Sequence, residues 1–273
     1  MSTRTATLLG CGDLGSRVGL RLAQEGVSVT GVRRDAAQVP PPIRGVAADL
    51  TDPDVDLPDL DADLLLICLT ADGRDEDAYR RTYVDGMLRG IEAVVRERTP
   101  SRAVLVSSTG VFGDVEGEVD ESTPPAPSRP TARVLLEAER AFAEALPHGV
   151  VARLSGLYGR PHPRVVDEVR RGDDHDPGRW TNRVHRDDAA SALAHLLTRV
   201  DDPDRLYVVT DDEPCTSGEL RALVAAELGV PWAKGDDVTP VGRRLSNARL
   251  RAPGWQPEIP SYREGSPPLV AGS

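Results

Sequence analysis

Apolar residues in this chain fall into short blocks separated by polar and glycine-rich turns, and the blocks alternate between two periods. Residues 5–9 (Thr-Ala-Thr-Leu-Leu) read as a short buried strand. Residues 14–24 follow with Leu14, Val18, Leu22 and Ala23 on one side, the spacing of a helix with a single buried face. Residues 28–32 and 45–48 predict a second and a third strand. Residues 63–69 are almost continuously apolar, as in a strand covered on both faces. A long helix is expected over 79–98 and a strand over 103–107. A helix over 130–146 carries Pro130 near its start, where the missing N–H costs no helical bond. A strand is expected over 150–154. This alternation implies a parallel sheet wrapped by helices.

Beyond residue 155 the pattern loosens. Residues 159–178 are rich in Pro, Arg, Gly and Asp, with a short helix expected over 164–171. Helices are predicted over 187–198 and 217–228, the latter capped by Ser217, and a strand over 205–210. The expected organisation is a main domain over 1–155, a small C-terminal α/β lobe over 156–265 interleaved with the main sheet, and a flexible tail over 266–273. The proline clusters at 40–42 and 124–130 read as loops.

Composition narrows the function classes. A net charge of -11 and a pI near 5.0 argue against a nucleic-acid partner and against an anionic membrane surface. The basic pairs are scattered along the chain. Cys11, Cys68 and Cys215 lack metal-like spacing, as do His162 and His175, so no metal is expected and a reducing compartment is. The longest apolar run, residues 64–69, is too short to span a bilayer, and a cytoplasmic location is expected.

The chemistry begins at Leu9-Gly10-Cys11-Gly12-Asp13-Leu14-Gly15, a G-x-G-x-x-G run between the first strand and the first helix. In that context the pattern predicts a dinucleotide site. Gly10 allows the tight turn, Gly12 lets backbone approach a diphosphate, and Gly15 lets the helix pack closely. Asp13 and Leu14 open the helix whose N-terminus favours the anion. The fold class is therefore a Rossmann-type doubly wound α/β sheet with a small C-terminal lobe. An acidic residue ending the second strand would hold a ribose 2′-OH, but Arg33 and Arg34 stand there. Guanidinium suits a 2′-phosphate, so NADP is preferred, with NAD as the alternative. Asp49 could accept from the adenine amino group or simply serve its turn. Leu69, ending the fourth strand, is placed beside the cofactor.

The segment 106–113 (V-S-S-T-G-V-F-G) resembles the S-S-x-x-V-Y-G strand end of extended short-chain dehydrogenase/reductases. Residues 153–159 (R-L-S-G-L-Y-G) and 182–189 (N-R-V-H-R-D-D-A) resemble two further elements of that group. Residues 207–214 and 246–250 are similar to a short subgroup related to nucleoside-diphosphate-sugar epimerases and dehydratases. The likeness implies that Tyr158 lies beside the cofactor and that Ser108, with Thr109 as fallback, supplies the hydroxyl that holds a substrate oxygen. The family's Tyr and Lys, spaced Y-x-x-x-K, are missing: their positions are Thr131 and Leu135, registered on Glu139. Tyr83, in a segment resembling N-V-x-G, is the candidate relocated proton donor; packing on the sheet is its alternative role. His185 is expected to be mainly structural, Asp187 and Asp188 to cap a helix, and Glu137 and Glu139 to lie at the surface. The run 160–164 (R-P-H-P-R) could hold a substrate phosphate or be a solvated loop. A homodimer is implied by resemblance only. The resulting expectation is an NADP-dependent oxidoreductase or epimerase-like enzyme on a small polar substrate. The rival is an inactive dinucleotide-binding sensor or partner-binding protein.

Overall fold

In chain order the elements of this computed structural model are β1 (Thr5–Leu9), α1 (Asp13–Gln24), β2 (Ser28–Arg33), β3 (Arg44–Ala47) and β4 (Leu64–Ile67). They continue with α2 (Glu76–Arg80), a π-helical turn (Arg81–Gly86), α3 (Met87–Val95), β5 (Arg102–Ser108), a 3-10 turn (Thr109–Phe112) and β6 (Gly117–Val119). Then follow α4 (Pro130–Ala145), β7 (Val150–Leu154), β8 (Gly156–Tyr158), α5 (Arg164–Arg171), β9 (Trp180–Thr181), β10 (Arg183–His185) and α6 (Arg186–Thr198). The last are β11 (Leu206–Val209), β12 (Cys215–Thr216), α7 (Ser217–Leu228), β13 (Arg243–Leu245), α8 (Ala248–Arg251) and α9 (Tyr262–Gly265). The structure describes residues 4–159, 164–173, 175–232 and 238–266.

Seven strands form one sheet in the order β11-β7-β5-β4-β1-β2-β3. β1 pairs in parallel with both β2 and β4, β2 with β3, and β4 with β5. The order reverses direction at β1, so the carboxyl ends of β1, β2 and β4 open side by side, the usual place for a ligand in such sheets. This is the Rossmann-like α/β architecture, and the local reason is plain in β4. Its Leu-Leu-Leu-Ile run is buried at every position because helices cover both faces.

The chain divides into two units. One comprises Met1–Gly113, Pro125–Arg153 and Ala190–Tyr207; the other comprises Asp114–Pro124, Leu154–Ala189 and Val208–Ser273. The first is built on a core of Leu9, Leu65, Ile67, Met87, Ile91 and Phe142 among others. The second has a smaller core in which Val166 and Val169 of α5 meet Leu220 and Val224 of α7, with Tyr262. Three two-stranded pairs belong to that part of the chain: β8 with β10, β9 with β12, and β6 with β13. Strands of two or three residues are too short to carry a periodicity, and the sequence did not announce them. Among the described residues no helix is long and apolar enough to cross a membrane.

Several expectations need correction. The single helix expected over 79–98 is three segments. It starts earlier because the Asp75 side chain accepts the Ala78 N–H at 2.9 Å. It widens into a π turn ending at Gly86, where a Cβ would stand 3.0 Å from the Arg81 carbonyl and 3.1 Å from that of Leu50. The cap of α7 is Thr216 rather than Ser217: the Thr216 hydroxyl accepts the Glu219 N–H and the Glu219 carboxylate accepts the Thr216 N–H, a reciprocal capping box. Asp188, in the first turn of α6 as expected, is buried and also accepts the backbone N–H groups of Glu258 and Ile259 at 2.7 and 3.0 Å, so it ties a distant segment down. His185 Nδ1 accepts the Asp187 N–H at 3.3 Å. The expected tail begins at Ser266, which is buried; residues 267–273 lie outside the described residues.

Candidate functional site

β1 ends at Leu9 and α1 begins at Asp13, leaving three residues to turn the chain. Gly10 does this with φ +93°, and a Cβ on it would stand 2.2 Å from the Cys68 carbonyl oxygen. No other residue fits. A Cβ on Gly15 would meet the Gly10 carbonyl at 2.3 Å, so the helix rests directly on the turn. Gly12 differs: no atom lies within 4 Å of its missing Cβ. Its face is open, and it is also the N-cap of α1, where it has no side chain to offer. Gly10 and Gly12 line a cavity of about 340 Å³ over the carboxyl ends of β1, β2 and β4. Open backbone at a helix N-terminus suits a diphosphate.

The cavity is also lined at the end of β2 by Arg33 and Arg34, after β3 by Asp49 and Thr51, and after β4 by Leu69 and Thr70. Gln38, Cys68, Asp72 and Thr82 line it as well. Arg33 donates to the Cys11 carbonyl at 3.3 Å and to Gln38 Oε1 at 2.7 Å. Arg34 forks onto Asp72, both guanidinium nitrogens meeting the two carboxylate oxygens. Asp49 serves its turn while facing the cavity: Oδ1 accepts the Thr51 hydroxyl at 2.7 Å and its N–H at 2.9 Å. The Thr51 hydroxyl bond, joined by the backbone bond and the Arg34 and Arg89 charges, holds this carboxyl below its ordinary range. A glycine cradle and two guanidiniums lining one cavity fit an anionic dinucleotide.

Of the residues picked from the sequence, Gly10, Gly12, Arg33, Arg34, Asp49 and Leu69 come together around this one cavity. Asp13, Leu14 and Gly15 open α1 behind it and do not line it. Gln38, Cys68, Thr70, Asp72 and Thr82 were missed. The signal for Thr70 and Asp72 existed: residues just past a strand neighbouring β1 face the same sheet edge as the glycine turn.

The candidates for chemistry lie outside that lining. Ser108 ends β5 and accepts the Gly110 N–H at 3.1 Å, capping the 3-10 turn; Thr109 is buried in that turn. Tyr83 sits half-buried on the π turn next to Thr82, its ring 5.1 Å from that of Tyr79. Burial, with the neighbouring Tyr79, pushes its phenol up to about 12 against a backbone hydrogen bond from Ala71. The π turn packs on α4, the helix carrying Thr131 and Leu135. Glu139 of α4, expected at the surface, is buried. It accepts Ser107 Oγ at 2.6 Å and Arg153 through two bonds of 3.0 and 2.7 Å, and the Arg153 guanidinium lies 4.8 Å over the Phe112 ring. A buried Arg is reason enough to bury its carboxylate partner. Glu137, two residues earlier, does face solvent and pairs with Arg80.

Tyr158 belongs to the second unit. Its hydroxyl donates to the Ser261 carbonyl at 3.2 Å, its ring meets His185 edge-on at 5.2 Å, and burial pushes its pKa up. In the run 160–164, Arg164 pairs with Glu168 at 3.0 Å, and residues 160–163 lie outside the described residues.

Comparison with known proteins gives the family and the fold. The model of the NAD dependent epimerase/dehydratase family matches residues 8–209. Protein YeeZ of Escherichia coli (strain K12) is 31% identical over 210 residues, which cover 71% of this chain and 73% of YeeZ. dTDP-6-deoxy-L-talose 4-dehydrogenase (NAD(P)(+)) of Kitasatospora kifunensis is 32% identical over 173 residues, 59% of this chain and 54% of that protein. A solved structure from Methylobacillus flagellatus, described as a candidate NAD-dependent epimerase/dehydratase, matches with TM-score 0.84 and 32% identity, over 99% of this chain and 98% of that one. UDP-glucuronic acid 4-epimerase from Bacillus cereus, solved with NAD, shares the fold at TM-score 0.79 and 15% identity, over 98% of each chain. The chain belongs to the NAD-dependent epimerase/dehydratase family.

Proposed function

We propose that the protein binds NADP(H) in the cavity at its glycine turn and uses it in an oxidoreductase or epimerase-like reaction on a small polar substrate. The observation that carries this reading is that one cavity is lined both by an open glycine cradle and by two guanidiniums, Arg33 and Arg34. Gly10 and Gly12 would face the diphosphate, and Arg33 and Arg34 the 2′-phosphate. When bound, NADPH supplies the hydride. The chain must then position a carbonyl and deliver a proton. Ser108 Oγ already accepts one hydrogen bond from Gly110, which leaves its O–H to donate to a substrate oxygen. Tyr83 is the candidate proton donor. Burial pushes its pKa up to about 12, so the protonated phenol is its resting form and can give a proton to the developing alkoxide. The similarity to a dehydrogenase acting at C4 of a 6-deoxy sugar supports carbonyl–alcohol chemistry.

One observation favours a second reading, a dinucleotide-binding sensor without turnover: Thr131 and Leu135 replace the pair that performs proton transfer in the resembled family. Titration calorimetry with NAD(H) and NADP(H), followed by a carbonyl panel with NADPH, separates the two. Binding with turnover that Tyr83→Phe removes supports the enzyme. Binding without turnover supports the sensor. No heat with any of the four dinucleotides overturns both.

A further inference from the structure

We propose that Asp72 sets the cofactor preference of this cavity, because its carboxylate occupies the Arg34 fork that a 2′-phosphate would otherwise take. This rests on the dinucleotide reading above and specifies what that site discriminates. Five charged side chains line this part of the cavity: Arg33, Arg34, Asp35, Asp49 and Asp72. Two of the three carboxylates are held by neutral donors. Asp35 accepts the Ala37 N–H and Gln38 Nε2, and Asp49 accepts the Thr51 N–H and hydroxyl. Neither bond need change when a nucleotide enters. Arg33 is held by a carbonyl and by Gln38, and pairs with no carboxylate among the described residues.

Asp72 is different. Its partner is Arg34, 38 residues away, and both carboxylate oxygens are engaged by that one guanidinium. A guanidinium offers the same bidentate face to a carboxylate and to a phosphate, so the two compete for one site. Asp72 stands on the loop after β4 and Arg34 at the end of β2, so the pair reaches past β1, the strand between them. The side chains are 65% and 60% exposed, and exposed ion pairs exchange easily. A 2′-phosphate arriving here must displace Asp72 from Arg34 before it can use the fork. A ribose 2′-OH meets no such obstacle, since the pair can stay closed and the carboxylate accepts hydrogen bonds from hydroxyl groups. Asp72 thus raises NAD relative to NADP, against the pull of Arg33 and Arg34.

The test is titration calorimetry of the full chain with NADP+, NAD+, adenosine 2′,5′-bisphosphate and AMP, repeated on Asp72→Asn, Asp72→Ser, Arg34→Ala and Arg34→Ala/Asp72→Asn. Both Asp72 variants should bind NADP+ and the bisphosphate about tenfold more tightly, as expected when one charge-assisted bidentate contact is released to a ligand, while NAD+ and AMP change by less than about twofold. In the Arg34→Ala background the Asp72→Asn gain should vanish, because its cause is the shared guanidinium. An unchanged NADP+ to NAD+ ratio in the Asp72 variants, or a gain that survives Arg34→Ala, overturns the proposal and leaves dinucleotide binding standing. A wild-type chain that binds neither dinucleotide overturns the functional reading, and this inference with it.

Discussion

The glycine turn and the exposed face of α4 both lie in the first unit, and they kept different things. At the turn the working parts are backbone: Gly10 at φ +93°, Gly15 against the Gly10 carbonyl, and an open Gly12. None of these can be replaced without a collision or a filled cavity. At α4 the scaffold is intact, with Glu139 buried and bonded to Ser107 and Arg153, but the two positions that face chemistry in the resembled family are Thr131 and Leu135. Binding geometry written in backbone constrains the sequence tightly. Proton-transfer chemistry written in two side chains does not constrain the helix that carries it.

The comparison breaks first at Glu139. If the buried pair is what holds α4 against β5 and β7, Glu139→Ala leaves Arg153 charged and unpaired in the core. The cost should be about 3–5 kcal/mol, read as a lowered urea midpoint. A loss below about 1 kcal/mol would mean that Arg153 finds other partners and that α4 has no fixed scaffold. Next comes the turn itself. Gly10→Ala forces a Cβ onto the Cys68 carbonyl and a side chain into the left-handed region, and should cost at least about 2 kcal/mol. Gly12→Ala meets no atom, so its stability should stay within about 0.5 kcal/mol of wild type while dinucleotide affinity falls. Equal losses at the two glycines would show that the turn is structural alone.

The turn was legible; α4 was legible as a helix, expected over 130–146 and found at Pro130–Ala145, but its buried contacts were not. The strand expected over 5–9 is β1, and the helix expected over 217–228 is α7. A five-residue buried strand, three glycines and an amphipathic helix are all local, and local pattern suffices. Glu139 was misread because its partner Arg153 stands 14 residues away in a strand, and helical spacing says nothing of strand neighbours. Asp72 was missed for a similar reason: it is one of 44 acidic residues, and only the sheet order brings it to Arg34. Thr131 and Leu135 could be placed by register, yet what took over proton transfer could not, since a relocated donor leaves no spacing rule behind.

Restoring the missing pair sharpens the contrast. Thr131→Tyr/Leu135→Lys should raise the reduction rate by about tenfold or more if the cofactor already binds and only proton delivery is poor. The pH dependence gives the sign. Tyr83, pushed up to about 12 by burial, stays protonated across the working range, so wild-type reduction should show no alkaline fall below about pH 10 from that residue. A new Tyr beside a Lys ionises earlier, because the cation favours phenolate, and reduction by the double variant should fall on the alkaline side. An alkaline fall in wild-type reduction near neutral pH would mean that the proton donor sits in a phenolate-stabilising site and would sink this contrast.

The smallest effect belongs to Glu137, two residues before Glu139 on the same helix. Its pair with Arg80 joins α4 to α2, but the side chains are 44% and 42% exposed, and water replaces either partner at little loss. Glu137→Ala should therefore leave the urea midpoint indistinguishable from wild type in moderate salt, whereas Glu139→Ala collapses it. The two substitutions are chemically identical and differ only in which side of α4 they touch. Should Glu137→Ala destabilise as much as Glu139→Ala, the stability of α4 would come from its contact with the π-turn side rather than from the buried arginine. Tyr83, on that π turn, would then be held as firmly as the glycine cradle.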